Sequence, residues 1–360
     1  MGKRRHGGRG KLITQHKIVF GDSRELKEIA NESIDLMITS PPYPMIEMWD
    51  KMFSEQNAIV QQALAKNNGN IAFEEMHKEL DKVWREVYRV LRKGGIACIN
   101  IGDATRKIGD CFKLYPSHAR IIHYCMSLGF HILPEILWRK QSNKPNKFMG
   151  SGMLPVGAYT TLEHEYILIL RKGEKKEFKT EEQKFIRQQS AFFWEERNNW
   201  FSDIWVDVKG DKQKLNDETV RERSAAYPFE LAYRLISMFS VQGDTVLDPY
   251  LGTGTTIISA MASGRNSIGI EIDKNFENTI KGRTKEIVNF SNDYNEERKK
   301  KHISYMIKRK EEKGDNSEKE EYINKNYNFP VMTRQELILK LPSLKYIKLL
   351  EENTFEVEYT

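Results

Sequence analysis

The stretch VQGDTVLDPYLGTGTTIISAMASGRNSIGIEID (residues 241–273) predicts a strand, a glycine-rich turn, a helix and a second strand in immediate succession. The first strand carries Asp248 to its carboxyl end, and Gly252 and Gly254 lie in the turn that follows. Glycines let a backbone approach a ligand closely, and the start of the next helix offers free N–H groups. Glu271 ends the second strand, where an acidic side chain often accepts ribose hydroxyls. This unit therefore predicts a site for an adenosine-type cofactor.

The same turn differs from a dinucleotide-binding turn. A nicotinamide site favours the pattern GxGxxG, but Ile257 occupies the position of the third glycine. An acidic residue at the strand end, here Asp248, suits a cationic amino-acid ligand better than a pyrophosphate. The alternative interpretation is a tight strand–helix connection that binds no ligand.

A second pattern, ITSPPYP (residues 38–44), follows an apolar strand. Two prolines hold the backbone rigidly and leave carbonyls that no ladder uses. An exocyclic amino nitrogen of a base is a poor nucleophile, because its lone pair is delocalised into the ring. The Ser40 hydroxyl and the Pro41 carbonyl could accept its hydrogens, and Tyr43 could stack on a flipped-out base. The alternative is a strand end with a tyrosine that only packs.

Strands and helices alternate along the rest of the chain, which indicates a parallel or mixed sheet covered on both faces. Periodicity predicts helices over residues 23–33, 73–95, 117–128 and 227–240, and strands over 16–23, 34–40, 96–103, 130–140 and 163–173. Gly94-Gly95 would stop the helix over 73–95, and residues 45–70 are expected to be irregular.

In this order, the segments resemble the amino-group DNA methyltransferases of the permuted β class, in which an [SDN]PPY motif precedes the cofactor motif. The resemblance covers roughly residues 16–45, 86–103, 130–172 and 203–280, including GDSRELKEIANESIDLMITSPPY, LRKGGIACINIGD, GFHILPEILWRK, EHEYILILRKG, SDIW, YPFELAYRLI, LDPYLGTGTT and GRNSIGIEID. It implies an α/β fold with a doubly wound, mostly parallel sheet of the Rossmann-like methyltransferase type, in permuted motif order and with an inserted target-recognition region. It implies S-adenosylmethionine as the cofactor.

The resemblance also implies roles for individual residues. The catalytic residues, which would hold the target amine, are Ser40, Pro41, Pro42 and Tyr43. The cofactor-binding residues are Asp22 near the adenine, Glu271 at the ribose, Pro228 closing the pocket, and Asp248, Pro249, Gly252, Gly254, Thr255 and Thr256 around the methionine part. In the family, serine at the first motif position usually accompanies cytosine-N4 methylation, and aspartate or asparagine usually accompanies adenine-N6 methylation. A His-Pro that is common in the family is replaced here by RSAAYP (223–228).

The predicted organisation has five parts. They are a basic disordered arm (1–15), a catalytic half of the core (16–140), a region with one core strand and target-recognition insertions (141–225), a cofactor-binding half (226–290) and a charged C-terminal extension, helical with a short apolar close (291–360). The stretch EEQKFIRQQSAFFWEERNNW (181–200) has aromatic and basic residues suited to groove contacts, although the aromatics could equally anchor a small subdomain.

Composition fits a cytoplasmic enzyme. The 360 residues carry a formal net charge of +6, and five of the first eleven are Lys or Arg. Three cysteines, Cys98, Cys111 and Cys125, suggest neither a disulfide framework nor a metal site, and Cys98 is expected in the core. No apolar run is long enough to span a membrane.

The predicted function is site-specific cytosine-N4 methylation of duplex DNA by base flipping. The expected setting is a restriction–modification system, with a monomer or homodimer that acts separately from a possible cognate endonuclease. The alternatives are adenine-N6 methylation, methylation of RNA or of protein amides, and a DNA-binding module without catalysis.

Overall fold

The computed structural model describes residues 11–140, 160–210, 227–313 and 322–360. Within these residues the strands are β1 Ile13–Phe20, β2 Ile34–Thr39, β3 Leu91–Ile101, β4 Ala104–Ile108, β5 Cys111–Tyr115, β6 Phe130–Arg139, β7 His164–Lys172, β8 Ile204–Trp205, β9 Thr245–Asp248, β10 Asn266–Glu271, β11 Tyr322–Ile323, β12 Pro330–Val331, β13 Leu344–Glu351 and β14 Thr354–Tyr359. The α-helices are α1 Asp50–Gln56, α2 Ala58–Ala65, α3 Gly69–Val90, α4 Ser117–Ser127, α5 Glu181–Gln189, α6 Trp194–Trp200, α7 Phe229–Phe239, α8 Thr255–Ser263 and α9 Glu277–Lys313.

One large sheet runs through the described part of the chain, in the strand order β13-β14-β1-β10-β9-β2-β3-β7-β6-β8. Its centre is parallel from β1 to β3. All six residues of β2 are buried, because β9 and β3 flank it and helices cover both faces. The predicted α/β fold with a mostly parallel sheet is confirmed.

The strands that carry the two sequence patterns are neighbours in the sheet. β2, which precedes the SPPY motif, pairs directly with β9, which carries Asp248, in the register Leu36↔Val246 and Met37↔Leu247. Two segments about 200 residues apart in sequence therefore end side by side at one edge of the sheet.

The helix over 73–95 begins and ends earlier than predicted, as α3 at Gly69–Val90. Gly94 lies inside β3 rather than at a helix end, with φ +81°. A Cβ at Gly94 would lie 2.6 Å from the backbone nitrogen of Lys176, so the glycine is needed for this close approach.

Two further local predictions are wrong. Residues 23–33 form turns rather than a helix, because long-range contacts take their backbone groups: Arg89 donates to the carbonyls of Leu26 and Ile29, and Glu86 accepts from the Leu26 N–H. Residues 45–70, predicted as irregular, contain α1, α2 and a 3-10 turn at Glu47–Trp49.

The end of the chain joins the central sheet. After the helical stretch α9, the strands β13 and β14 form a hairpin, and β14 pairs antiparallel with β1 from Ile13↔Glu358 to Lys17↔Thr354. The interpretation of this tail as charged and helical therefore holds only up to Lys313. Ile13 to Gln15, predicted as part of a disordered arm, also belong to β1. Residues 1–10 of that arm lie outside the described residues.

Candidate active site

The carboxyl ends of four parallel strands meet at one edge of the sheet. Asp22 follows β1, Ser40 follows β2, Asp248 ends β9 and Glu271 ends β10. In open α/β sheets, ligands bind at this edge. The structure thus brings together the two patterns found in the sequence.

The Asp248 side chain, only 2% exposed, has both carboxylate oxygens fully engaged. Oδ1 accepts from the Thr39 hydroxyl at 2.7 Å and the Tyr250 N–H at 3.0 Å, and Oδ2 accepts from the Thr256 hydroxyl at 2.5 Å and the Tyr227 hydroxyl at 3.1 Å. Burial raises the pKa of Asp248, and these hydrogen bonds partly offset the effect. Asp248 therefore fixes the loop around it. Its negative charge can attract a ligand, but neither of its oxygens is free to accept a further hydrogen bond.

Tyr227 was not singled out in the sequence. Its buried hydroxyl contacts both Asp248 and Thr256, and burial, with the Asp248 charge, raises the pKa of Tyr227 well above its usual value. The buried Pro228 beside it begins α7, since its carbonyl accepts the Leu231 N–H at 3.1 Å. The position of Tyr227 directly before Pro228 was the only sequence signal for its role.

The glycine-rich loop has the shape of a ligand cradle. Gly252 has φ +53°, and a Cβ there would meet no atom within 4 Å, so its open side can accept a ligand group. Gly254, at φ +85°, begins α8 and packs on Ile280, where a Cβ would lie 3.0 Å away. The Glu271 carboxylate accepts from the Gly252 N–H at 2.7 Å and from the Asp273 N–H at 2.9 Å. Burial raises the pKa of Glu271, which these N–H donors partly offset.

The other residues predicted around this loop are placed as follows. Pro249 is buried behind Asp248, and the Thr255 hydroxyl accepts from Arg283 at 3.1 Å. Asp22 lies half-exposed and binds Arg24 through both carboxylate oxygens at 2.5–3.0 Å. Although burial opposes the shift, Arg24 lowers the pKa of Asp22. Open glycine backbone, a helix N-terminus and two acidic side chains at strand ends fit an adenosine cofactor with a cationic amino-acid part.

The SPPY segment forms a hydrogen-bonded chain. Ser40 Oγ donates to the Tyr43 hydroxyl at 3.1 Å, and that hydroxyl donates to Glu165 Oε2 at 3.0 Å. Asn100 Nδ2 donates to the Tyr43 hydroxyl at 2.9 Å and to Glu165 Oε2 at 2.7 Å. Pro41 and Pro42 are buried, and Ser40 is half-buried. Burial and the charge of Glu165 raise the pKa of Tyr43.

Comparison with known proteins shows the family of the chain. The model of the N6- and N4-methyltransferase family, described as DNA methylase, matches residues 34–282. The Type II methyltransferase M.MthZI of Methanothermobacter thermautotrophicus is 51% identical over 349 residues, which cover 97% of this chain and 96% of that protein. The chain belongs to the DNA methylase family.

Two further relatives of this methylase are informative. The Type II methyltransferase M.MjaI of Methanocaldococcus jannaschii is 51% identical over 280 residues, covering 75% of this chain and 91% of that protein. The structure of TTHA0409 from Thermus thermophilus, complexed with S-adenosyl-L-methionine, is 33% identical, covers 76% of this chain and 96% of that chain, and superposes with a TM-score of 0.57.

Asn100 and Glu165 of the methylase were not singled out in the sequence either, although the segments that contain them were. Their meeting depends on the antiparallel register of β3 and β7, in which Asn100 lies opposite Ile167 and Ile101 opposite Tyr166. Side chains two residues apart share a face of the sheet, so Asn100 and Glu165 face each other. A polar residue in each of two apolar strands was the available signal.

The aromatic stretch predicted for DNA contacts contains mostly packing residues. Phe193 is fully buried and stacks on His302 with ring centroids 4.1 Å apart, and Trp200 is 4% exposed. Arg298 binds Glu196 of the same stretch and so anchors α6 on α9. Within residues 181–200, Phe185, at 50%, and Trp194, at 38%, are the large aromatic side chains that are exposed. Residues 141–159 and 211–225 of the predicted target-recognition region lie outside the described residues.

Two of the three cysteines of the methylase are buried. Cys98, expected in the core, is fully buried in β3, Cys125 is also buried, and Cys111 is exposed. Throughout the described ranges, no helix combines the length and apolar character that crossing a membrane requires.

Proposed function

We propose that this methylase transfers a methyl group from S-adenosylmethionine to N4 of cytosine in duplex DNA, after flipping the base out of the helix. The proposal includes membership of the permuted β class, in which the SPPY segment holds the target amine. The Type II names of M.MthZI and M.MjaI support a role in a restriction–modification system. Adenine N6 is the alternative target, because the two bases present the same kind of amino group.

S-adenosylmethionine is the cofactor, and it supplies a methyl group activated by the sulfonium charge. The residues that would hold it are the open backbone at Gly252 and Gly254, the start of α8 at Thr255 and Thr256, and the acidic side chains of Glu271 and Asp22. The buried charge of Asp248 would attract the cationic amino-acid part, although its oxygens are already bonded. Pro249 and Pro228 would wall the pocket.

The hydrogen bond that Ser40 donates supports an amine as the target. Ser40 Oγ gives its only hydrogen to Tyr43, at 3.1 Å, so its remaining lone pairs can only accept. An amino nitrogen of a base becomes nucleophilic when acceptors hold its hydrogens and its lone pair leaves the ring plane. Ser40 would be one acceptor, the Pro41 carbonyl a second, and the prolines would keep both in place.

The presence of serine at position 40, and not its hydrogen bond, favours cytosine over adenine. A serine hydroxyl is a weaker acceptor than the carboxylate of an aspartate at this position would be, and serine accompanies cytosine-N4 methylation in the class that the sequence resembles. Tyr43 would pack beside the flipped base, although its ring is 8% exposed and one side of it lies against Gly102.

The test is to incubate the methylase with labelled S-adenosylmethionine and mixed, unmodified duplex DNA, and then to identify the labelled nucleoside. We expect N4-methylcytosine. Label found only in N6-methyladenine would replace cytosine by adenine as the target, and cofactor binding without label in DNA would reject the proposal. Ser40→Ala should lower transfer roughly 100-fold or more, whereas Ser54→Ala, in the nearby helix α1, should leave it unchanged.

A further inference from the structure

Glu165 joins three donors behind the SPPY segment. Its Oε2 accepts from the Tyr43 hydroxyl at 3.0 Å and from Asn100 Nδ2 at 2.7 Å, and its Oε1 accepts from Lys140 Nζ at 2.9 Å. The Glu165 side chain is only 12% exposed. A mostly buried carboxylate with three donors is a built feature of the site.

An ionised carboxylate can accept hydrogen bonds but cannot donate them. Tyr43 must therefore use its single hydroxyl hydrogen toward Glu165. The Tyr43 oxygen is then left to accept, and it receives the hydrogens of Ser40 and Asn100. The direction of the whole chain, from Ser40 through Tyr43 to Glu165, follows from the charge at its end.

Two neighbours keep this chain in place. Lys140 Nζ donates to Glu165 Oε1 at 2.9 Å and so places a positive charge beside the carboxylate. Gly102 leaves room for the tyrosine ring, because a Cβ at Gly102 would lie 3.0 Å from Tyr43 Cε2. The amide of Asn100 is held by its nitrogen, and its buried Oδ1 has no hydrogen-bond partner among the described residues.

We propose that Glu165 is a positioning residue that commits the Ser40 oxygen to accept a hydrogen bond from the target amine. Without the Glu165 carboxylate, Tyr43 could donate its hydrogen to Ser40. The Ser40 hydrogen would then be free to point at the amine, where it would repel the amine hydrogens. The proposal rests on the proposed role of Ser40, but not on whether the target base is cytosine or adenine.

Glu165→Gln tests the proposal, because an amide has nearly the same shape and can present an N–H to Tyr43, which allows the chain to reverse. With enzyme in excess over unmodified duplex DNA and saturating labelled cofactor, we expect the single-turnover transfer rate to fall roughly 10- to 100-fold. The Kd for S-adenosylmethionine, measured by calorimetry, should stay within about twofold of the wild type. Glu163→Gln is the matched control: it lies two residues away at the same sheet edge, in an exposed pair with Arg139.

A double-mutant cycle separates this role from a structural one. Tyr43→Phe breaks the chain without touching the Glu165–Lys140 pair, and it should slow transfer with unchanged cofactor affinity. In the Tyr43→Phe background, Glu165→Gln should cost little more, because the two residues act through the same chain. This non-additivity is a result that general destabilisation would not produce.

Three results would overturn the proposal: a Glu165→Gln rate within about twofold of Glu163→Gln, a Tyr43→Phe rate equal to wild type, or fully multiplicative effects in the double variant. Failure of the cytosine assignment is distinguishable, because total label measures the rate and nucleoside identity measures the target. If the wild type labels adenine, the cytosine proposal fails while the rate ratios still decide the role of Glu165.

Discussion

Thr39 and Asp248 lie 209 residues apart in the chain, and the Thr39 hydroxyl donates a 2.7 Å hydrogen bond to Asp248 Oδ1. The bond joins the last residue of β2 to the last residue of β9, two strands that run parallel and pair directly. Since Ser40 follows Thr39, this contact, together with the pairing of the two strands, fixes the proposed amine site relative to the cofactor loop. Both partners are almost fully buried, so water cannot replace the bond.

Thr39→Val should therefore destabilise the protein. Valine keeps the shape but removes the donor, which leaves Asp248 Oδ1 with only the Tyr250 N–H. A buried acceptor that loses its partner costs about 1–3 kcal/mol in the free energy of unfolding. Urea unfolding followed by circular dichroism measures this, with the exposed Thr161→Val as control. Equal stability of the two variants would mean that the bond contributes nothing.

Gly252→Ala should weaken cofactor binding. Gly252 has φ +53°, which strains an alanine by about 1–2 kcal/mol, and the added Cβ would enter the open side of the loop. Gly173→Ala is a matched control, because Gly173 has φ +66° and equally open surroundings. Both variants should lose similar stability. Only Gly252→Ala should raise the Kd for S-adenosylmethionine, roughly 10- to 100-fold, in calorimetric titrations. An equal rise of the Kd in both variants would mean that the cofactor does not lie against Gly252.

Elements with a strong local pattern could be predicted from the sequence. The strand–turn–helix–strand unit over 241–273 appears as β9, α8 and β10, and the strand before SPPY appears as β2. In these segments the apolar runs, glycines and prolines all favour the same conformation. The tertiary contacts favour that conformation too, so the local prediction is correct.

Features that depend on distant partners could not be predicted. Residues 23–33 have a helical pattern, but Arg89 of α3 takes the carbonyls that a helix would use. The contact of Asn100 with Glu165 needs the register of β3 against β7, and the pairing of β14 with β1 joins the two ends of the chain. A pattern within one segment carries no information about such partners.

The C-terminal hairpin should contribute to stability as core rather than as a solvated tail. Phe355 in β14 is 6% exposed and belongs to the apolar cluster around Ile257 and Tyr359. Phe355→Ala should lower the free energy of unfolding by about 3–5 kcal/mol. Leu349→Ala in the partner strand β13 changes a side chain that is 54% exposed, and it should cost less than about 0.5 kcal/mol. Similar losses in thermal unfolding would show that the hairpin does not pack as described.

The contact between α6 and α9 should make stability depend on pH. His302 is buried and stacks on Phe193, and its Nδ1 lies 2.9 Å from Glu195 Oε1. Burial alone would lower the pKa of His302, but the hydrogen bond and charge of Glu195 outweigh it and raise the pKa above 6.5. Because the folded pKa is raised, the contribution of the ion pair is fully present below the unfolded pKa of 6.5. It is lost as the pH rises through the folded value.

Glu195→Gln removes the charge that holds the His302 proton. The variant should be less stable than the wild type by about 1.5–3 kcal/mol near pH 5.5, and the difference should shrink toward about pH 9, where His302 is neutral in both proteins. Urea unfolding at the two pH values measures the change. Glu181→Gln, an exposed residue paired with Lys184 in α5, should show no such dependence, since its pair contains no histidine. A difference for Glu195→Gln that is constant with pH would mean that His302 is not charged in the folded protein.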